Sequence, residues 1–153
     1  MLVISSKMSL EVNIINHSKH PLPSYETSGS AGMDIRANLD ATVELKSFER
    51  TAIPTGLFIE LPVGYEAQIR PRSGLSLKTG LSIPNSPGTI DSDYRGEIKV
   101  IVANLSNEPI LIQDGDRIAQ MIIARYEKIE WKISESIESS ERGEGGFGST
   151  GTK

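Results

Sequence analysis

Glu97-Ile98-Lys99-Val100-Ile101-Val102 puts an apolar side chain at every second position, 98, 100 and 102. A period of two is the mark of a strand with one buried face, because successive side chains of an extended chain point to opposite sides. The same spacing recurs at Leu10-Val12-Ile14, Val43-Leu45, Leu57-Ile59-Leu61, Ile110-Ile112 and Ile129-Trp131-Ile133. All eight prolines lie before Ile110 (Pro21, Pro23, Pro54, Pro62, Pro71, Pro84, Pro87 and Pro109) and leave no room for a long helix. The chain is therefore all-β, and strands this short, numerous and evenly spaced predict a sandwich, jelly roll or barrel. One exception is expected at Ser73 to Lys78, where a serine start and a Gly80 stop bracket one or two helical turns.

At 153 residues the chain is long enough to bury one sizeable core. Cysteine is absent, which removes disulfides, thiolate zinc sites and a Cys nucleophile, and suits a reducing compartment. A net charge of −4 argues against a broad basic surface for coating nucleic acid, so any bound phosphate must meet locally placed Arg and Lys. No apolar run reaches the length of a membrane span, and Met1 to Met8 lacks a signal-peptide core; a cytoplasmic protein is expected, with Met8 a second candidate start.

After Trp131 the composition turns to Ser and Glu, and residues 134 to 142 read as a polar linker whose acids repel one another. This divides the chain into a β domain over 1–133 and a linker with a Gly-rich tail over 134–153. Arg142-Gly143-Glu144-Gly145-Gly146-Phe147-Gly148-Ser149-Thr150-Gly151 gathers five of the 14 glycines around one Arg, one Phe and two hydroxyls. Glycines let backbone N–H groups approach phosphate oxygens, Arg142 supplies a matching fork of donors, and Phe147 offers a face to a planar ring. A nucleotide polyphosphate would engage all three; a Gly/Ser-rich terminus without a ligand is the plainer alternative.

Four internal segments carry further chemistry. Gly88-Thr89-Ile90-Asp91-Ser92-Asp93-Tyr94-Arg95-Gly96 is expected as a hairpin with partly unpaired backbone, combining a water-activating carboxylate, a flat wall and close backbone approach, or else an ordinary Asp-Gly surface turn. Pro71-Arg72-Ser73-Gly74-Leu75 sets an Arg and a hydroxyl at the helix start, suited to an anion, with Ser73 as a simple N-cap the alternative. Ala31 to Ala37 offers Asp34 beside a tight backbone, for a water-held Mg²⁺ or an Asx turn. Arg117-Ile118-Ala119-Gln120 offers a cation and an amide on an alternating strand. His17 and His20 are expected as surface residues with no serine nucleophile between them, which disfavours a Ser/His/Asp hydrolase.

Taken in order, AGMDIRA from Ala31, PRSGL from Pro71, GTIDSDYRG from Gly88, RIAQ from Arg117 and RGEGGFGSTG from Arg142 resemble the five motifs of the trimeric deoxyuridine triphosphatase (dUTPase) family. The one mild departure is Ser76, where many members carry Ala. The resemblance implies a distorted jelly-roll subunit of the β-clip type with one short helix, and a homotrimer with active sites at subunit interfaces, each closed by another protomer's tail. It implies hydrolysis of dUTP to dUMP and pyrophosphate by water attack on the α-phosphorus, with Mg²⁺ on the triphosphate. By this likeness Asp91 would activate the water, Asp93 stays unassigned, and Tyr94 would lie under the deoxyribose and exclude a 2′-hydroxyl. The backbone around Asn85, Thr89, Ile90 and Lys99 would read uracil and exclude a 5-methyl group. Arg72, Ser73, Gly74 and Gln120 would hold phosphates or water, and Asp34 would touch the metal through water. Arg142, Phe147, Gly148, Ser149 and Thr150 would form the lid.

The nearest rival is a dCTP deaminase, which shares fold and trimer; DSDYRG and the complete tail favour the hydrolase. A catalytically silent jelly-roll module would keep the core and lose the loops, yet Arg72, Asp91, Tyr94 and Gln120 are all present.

Overall fold

The computed structural model describes residues 9–146. Eleven strands and one short helix follow in the order β1 (Asn13–Asn16), β2 (Met33–Arg36), β3 (Val43–Leu45), β4 (Arg50–Pro54), β5 (Leu57–Glu60), β6 (Tyr65–Arg70), α1 (Ser73–Thr79), β7 (Leu81–Ser82), β8 (Gly88–Ile90), β9 (Lys99–Asn104), β10 (Ile110–Ile112) and β11 (Arg117–Arg125). They pair antiparallel throughout, as a four-stranded sheet β2-β11-β6-β8, a three-stranded sheet β4-β9-β7 and two-stranded ribbons β1-β5 and β3-β10. This is a distorted jelly roll.

The alternation decides the core. Ile98, Val100 and Val102 are all fully buried while Ile101 is exposed, and Leu57, Ile59 and Leu61 face the same interior. Each such aliphatic side chain contributes roughly 1.5–3 kcal/mol by leaving water. Two polar residues join them without penalty. Asn104 donates through Nδ2 to the carbonyls of Leu45 (2.9 Å) and Glu108 (2.8 Å) and accepts from Ser106 N–H, and Thr55 donates to the Ile98 carbonyl at 2.6 Å. Thr55 also accepts from Leu57 N–H, so it staples the β4–β5 connection to the start of β9.

The helix matches the expected span within a residue. Gly80 ends it in the left-handed region (φ 77°), its N–H donating to the Ser76 carbonyl, a position where a Cβ would be strained. At the other end the cap position is Arg72, which makes no side-chain cap, so Ser73 is the first helical residue and its hydroxyl is not spent as an N-cap.

Three expectations need correction. Gly88 to Gly96 is not a hairpin: β8 pairs with β6 while β9 pairs with β4 and β7, so the turn between them crosses from one sheet to another. Ile129-Trp131-Ile133 forms no strand; these side chains are 63, 88 and 98 % exposed. Alternation makes a strand only where a neighbouring edge accepts its N–H and C=O groups, and the segment meets no such edge among the described residues. His20 is not a free surface residue, for its ring nitrogen lies 2.9 Å from Asp114, whose same oxygen accepts the Leu39 N–H at 2.8 Å. The Leu39 N–H first and His20 second hold the Asp114 carboxyl below its ordinary range. His17 is exposed, as expected.

Candidate active site

Antiparallel register brings the first three charged or amide candidates together. Gln120 on β11 stands opposite Asp34 on β2 and opposite Arg70 at the end of β6, from which the chain runs through Pro71 into Arg72 and α1. Asp34 is half-buried and its two oxygens are taken separately, Oδ1 by Arg72 Nε at 2.7 Å and Oδ2 by Arg117 Nη1 at 3.1 Å. Arg117 also reaches Glu26 at 3.3 Å. Gln120 donates through Nε2 to the Pro71 carbonyl at 2.9 Å, and its Oε1 occupies the space above Gly32, where a Cβ would approach it to 2.5 Å. Asp34, Arg72, Ser73, Gly74 and Gln120 line one open cleft of about 490 Å³, with Lys78 at its rim.

The remaining internal candidates assemble elsewhere. Thr89, Ile90, Asp91, Tyr94 and Lys99 line a second, smaller cleft of about 270 Å³ together with Glu97. Its shape comes from the sheet-crossing turn, in which Tyr94 N–H donates to the Asp91 carbonyl at 3.1 Å and the Tyr94 hydroxyl to the Glu97 carbonyl at 3.0 Å. The turn is moored by Glu97, whose Oε1 accepts the Gly56 N–H at 2.8 Å. Asp91 is exposed, and its carboxylate has no hydrogen-bond or ion-pair partner among the described residues, leaving its lone pairs for a water molecule. Asn85 sits just before β8, its Nδ2 3.1 Å from where a Cβ on Gly88 would stand.

The two clefts share no residue. They belong to opposite edges of the four-stranded sheet, Asp34 on β2 and Thr89 and Ile90 on β8, which is about 14 Å across three strand spacings. Arg142 lines neither; its Nε donates to the carbonyl of Gly145 at 2.7 Å within its own turn. Phe147, Gly148, Ser149 and Thr150 lie outside the described residues.

One cleft offers charge, a hydroxyl and an amide, a set suited to an anion, and the other a carboxylate and a ring, a set suited to a planar group. A profile of dUTPases matches residues 18–151. The deoxyuridine 5'-triphosphate nucleotidohydrolase of Finegoldia magna is 57 % identical over 142 residues, covering 93 % of this chain and 99 % of that protein. The chain belongs to the dUTPase family. Among solved dUTPase structures, a mutant from Staphylococcus bacteriophage 80alpha with dUpNHpp superposes with a TM-score of 0.83 at 31 % identity, covering 94 % of this chain and all of that one. A mutant dUTPase from phage phi11 of S. aureus, reported with a coordinated structural Mg(II) ion, gives 0.76 at 26 % identity over 84 % of this chain and 99 % of its own.

Two further side chains touch these residues without a role given by the resemblance: Arg117, which the sequence offered only as a cation, and Glu97. Arg117 opens the fourth motif and shares Asp34 with Arg72, a pairing of residues 83 apart that only register reveals. Glu97 directly follows the third motif, and its signal was its place at the head of the strongest alternating run.

Proposed function

We propose that this chain hydrolyses dUTP to dUMP and pyrophosphate, and so limits uracil in DNA and supplies dUMP. The observation that carries the reading is the pair of unlike half-sites, one of guanidinium, hydroxyl and amide groups and one of backbone, ring and a free carboxylate. Their separation supports an assembly of three copies, in which the phosphate cleft of one protomer faces the base cleft of another. The exposed Ile129, Trp131 and Ile133 support it too, since an alternating apolar segment that meets no edge among the described residues fits the surface of a neighbour. In this assembly residues 1–133 form the β domain and 134–153 carry the lid, with Arg142, Phe147, Gly148, Ser149 and Thr150 closing over a neighbour's nucleotide. The cytoplasm is the proposed compartment.

In the chemical step Asp91 accepts a proton from a water whose oxygen bonds to the α-phosphorus, while the bond from that phosphorus to the bridging oxygen breaks and pyrophosphate leaves. Phosphoryl transfer asks the protein mainly for position and charge stabilisation, so no covalent nucleophile is required. Arg72, Ser73, Gly74 and Gln120 hold phosphate oxygens. Thr89, Ile90, Asn85 and Lys99 surround uracil, where backbone groups read the base edge and leave no space for a 5-methyl group. Tyr94 faces the deoxyribose.

The residues present fit Mg²⁺ in an outer role. No group of three or more His, Cys, Asp or Glu side chains that could hold a metal exists among the described residues. Each oxygen of Asp34 has one guanidinium partner and keeps a lone pair for water. That suits a cation held by the triphosphate and keeping its waters, which Asp34 would accept hydrogen bonds from. When bound, the ion neutralises phosphate charge.

The test is pyrophosphate release in Mg²⁺ from dUTP, dCTP, dTTP and UTP in parallel, with the pyrimidine product checked for deamination. Release from dUTP alone is expected. Consumption of dCTP with loss of its amino group would replace the reading with a deaminase, and four inert nucleotides would leave a silent module.

A further inference from the structure

Tyr94 is 43 % exposed, so packing from outside does not fix its ring. It is held from beneath and at its tip. A Cβ built on Gly96 would lie 2.5 Å from Tyr94 Cζ and 2.9 Å from Cε2, and nearer still to the phenol oxygen, so the ring rests on the bare glycine. The hydroxyl donates to the carbonyl of the next residue, Glu97, at 3.0 Å. Glu97 is itself fixed by Gly56 N–H at 2.8 Å and faces Lys99 Nζ at 3.9 Å across the same cleft.

Backbone conformation does not explain this glycine. Its φ lies outside the left-handed region that Gly56, Gly64, Gly80 and Gly115 occupy, so an L-residue could follow the same path. The three atoms nearest to a methyl group there all belong to the far end of Tyr94, with no backbone atom among them. An ordinary contact distance is about 1 Å longer than the space available. The ring is rigid and pivots at its own Cβ, so it must swing and give up the Glu97 carbonyl.

We propose that Gly96 is a specificity-determining position: by seating Tyr94, with Glu97 as the anchor, it sets how strictly the cleft rejects a 2′-hydroxyl. The inference rests on the reading above in which Tyr94 faces the deoxyribose. Gly96 touches no substrate atom and acts through the ring, as a positioning residue.

The experiment compares kcat/KM for dUTP and UTP in the unsubstituted trimer, Gly96→Ala, Tyr94→Ala and the double variant, with circular dichroism and thermal unfolding as the check on fold. Excluding one hydroxyl by shape is worth about 100-fold at best. Gly96→Ala is expected to lower the dUTP-to-UTP ratio about tenfold. In the Tyr94→Ala background the same change should leave the ratio where Tyr94→Ala alone puts it, since there is no ring to displace. An unaltered ratio in Gly96→Ala overturns the proposal, as does an equal fall for both nucleotides, the signature of a merely structural glycine. If Gly96→Ala fails to fold, a folded double variant supports the clash with the ring, and an unfolded one places the fault in the backbone and overturns it. An unsubstituted protein that shows no preference for dUTP would bring down the dUTP reading itself, which the parent alone reveals.

Discussion

The cleft around Asp34 is built from charges already engaged with one another, whereas the cleft around Asp91 leaves that carboxylate without a partner among the described residues and takes its shape from backbone and one ring. In the first, Arg72 and Arg117 share a half-buried carboxylate, so any incoming anion would have to compete with Asp34 for Arg72. In the second, the one ion pair among the described residues is the long Lys99–Glu97 contact at 3.9 Å, and Asp91 stands outside it; the Glu97 mooring and the Gly96 seat set the geometry. One half is thus held ready by ion pairs that a ligand rearranges, the other by contacts it leaves intact. Both halves use a missing side chain to make room, Gly32 beneath Gln120 and Gly96 beneath Tyr94.

The comparison breaks most visibly at Asp91. Asp91→Asn is expected to cut turnover by about 10²- to 10⁴-fold, the usual worth of a general base, while the affinity for a non-hydrolysable dUTP analogue by calorimetry stays within a few-fold. A retained rate would remove Asp91 from the chemistry. Arg72→Ala should act in the opposite manner, raising KM for dUTP by about 10- to 100-fold, as befits one or two charge-assisted hydrogen bonds, and leaving inhibition by deoxyuridine unaltered. Loss of deoxyuridine inhibition would show that the two halves do not recognise separate parts of the ligand.

A smaller effect is expected at Gly32. A methyl group there would press on Gln120 Oε1 at 2.5 Å and turn the amide away from the Pro71 carbonyl, costing about one hydrogen bond, or roughly fivefold in kcat/KM. Salt separates the halves most gently: raising ionic strength from about 0.05 to 0.3 M should lift KM for dUTP several-fold through screening and leave deoxyuridine inhibition flat. Parallel salt responses would mean that charge steers both.

Much of this was legible in the chain. Period-two alternation placed β5, β9 and β10, proline positions excluded long helices, and Gly80 marked the end of α1 within a residue. The residues of both clefts were visible as types, a carboxylate beside a phenol and an Arg beside a hydroxyl. What could not be seen was contact. The Asp34 to Arg72 and Arg117 pairings span 38 and 83 residues, and His20 finds Asp114 across 94. The turn after β8 looked like a hairpin because its glycines and aspartates are hairpin residues; the partners of the flanking strands are chosen by distant segments. Ile129 to Ile133 carried the alternation of a strand, and local pattern cannot say whether an edge exists to receive it.

By itself, then, the sequence determined that several segments extend, which of their faces turn inward and which chemical groups stand in each loop, because side-chain alternation and turn preference are properties of a few neighbouring residues. Only the tertiary structure decided that Asp34 meets two guanidinium groups, that the Asp34 and Asp91 clefts lie on opposite edges of one sheet, and that a glycine supports Tyr94. Register between strands far apart in sequence is settled by the fit of the whole core, and a slip of one residue would turn Asp34 and Gln120 to the other face.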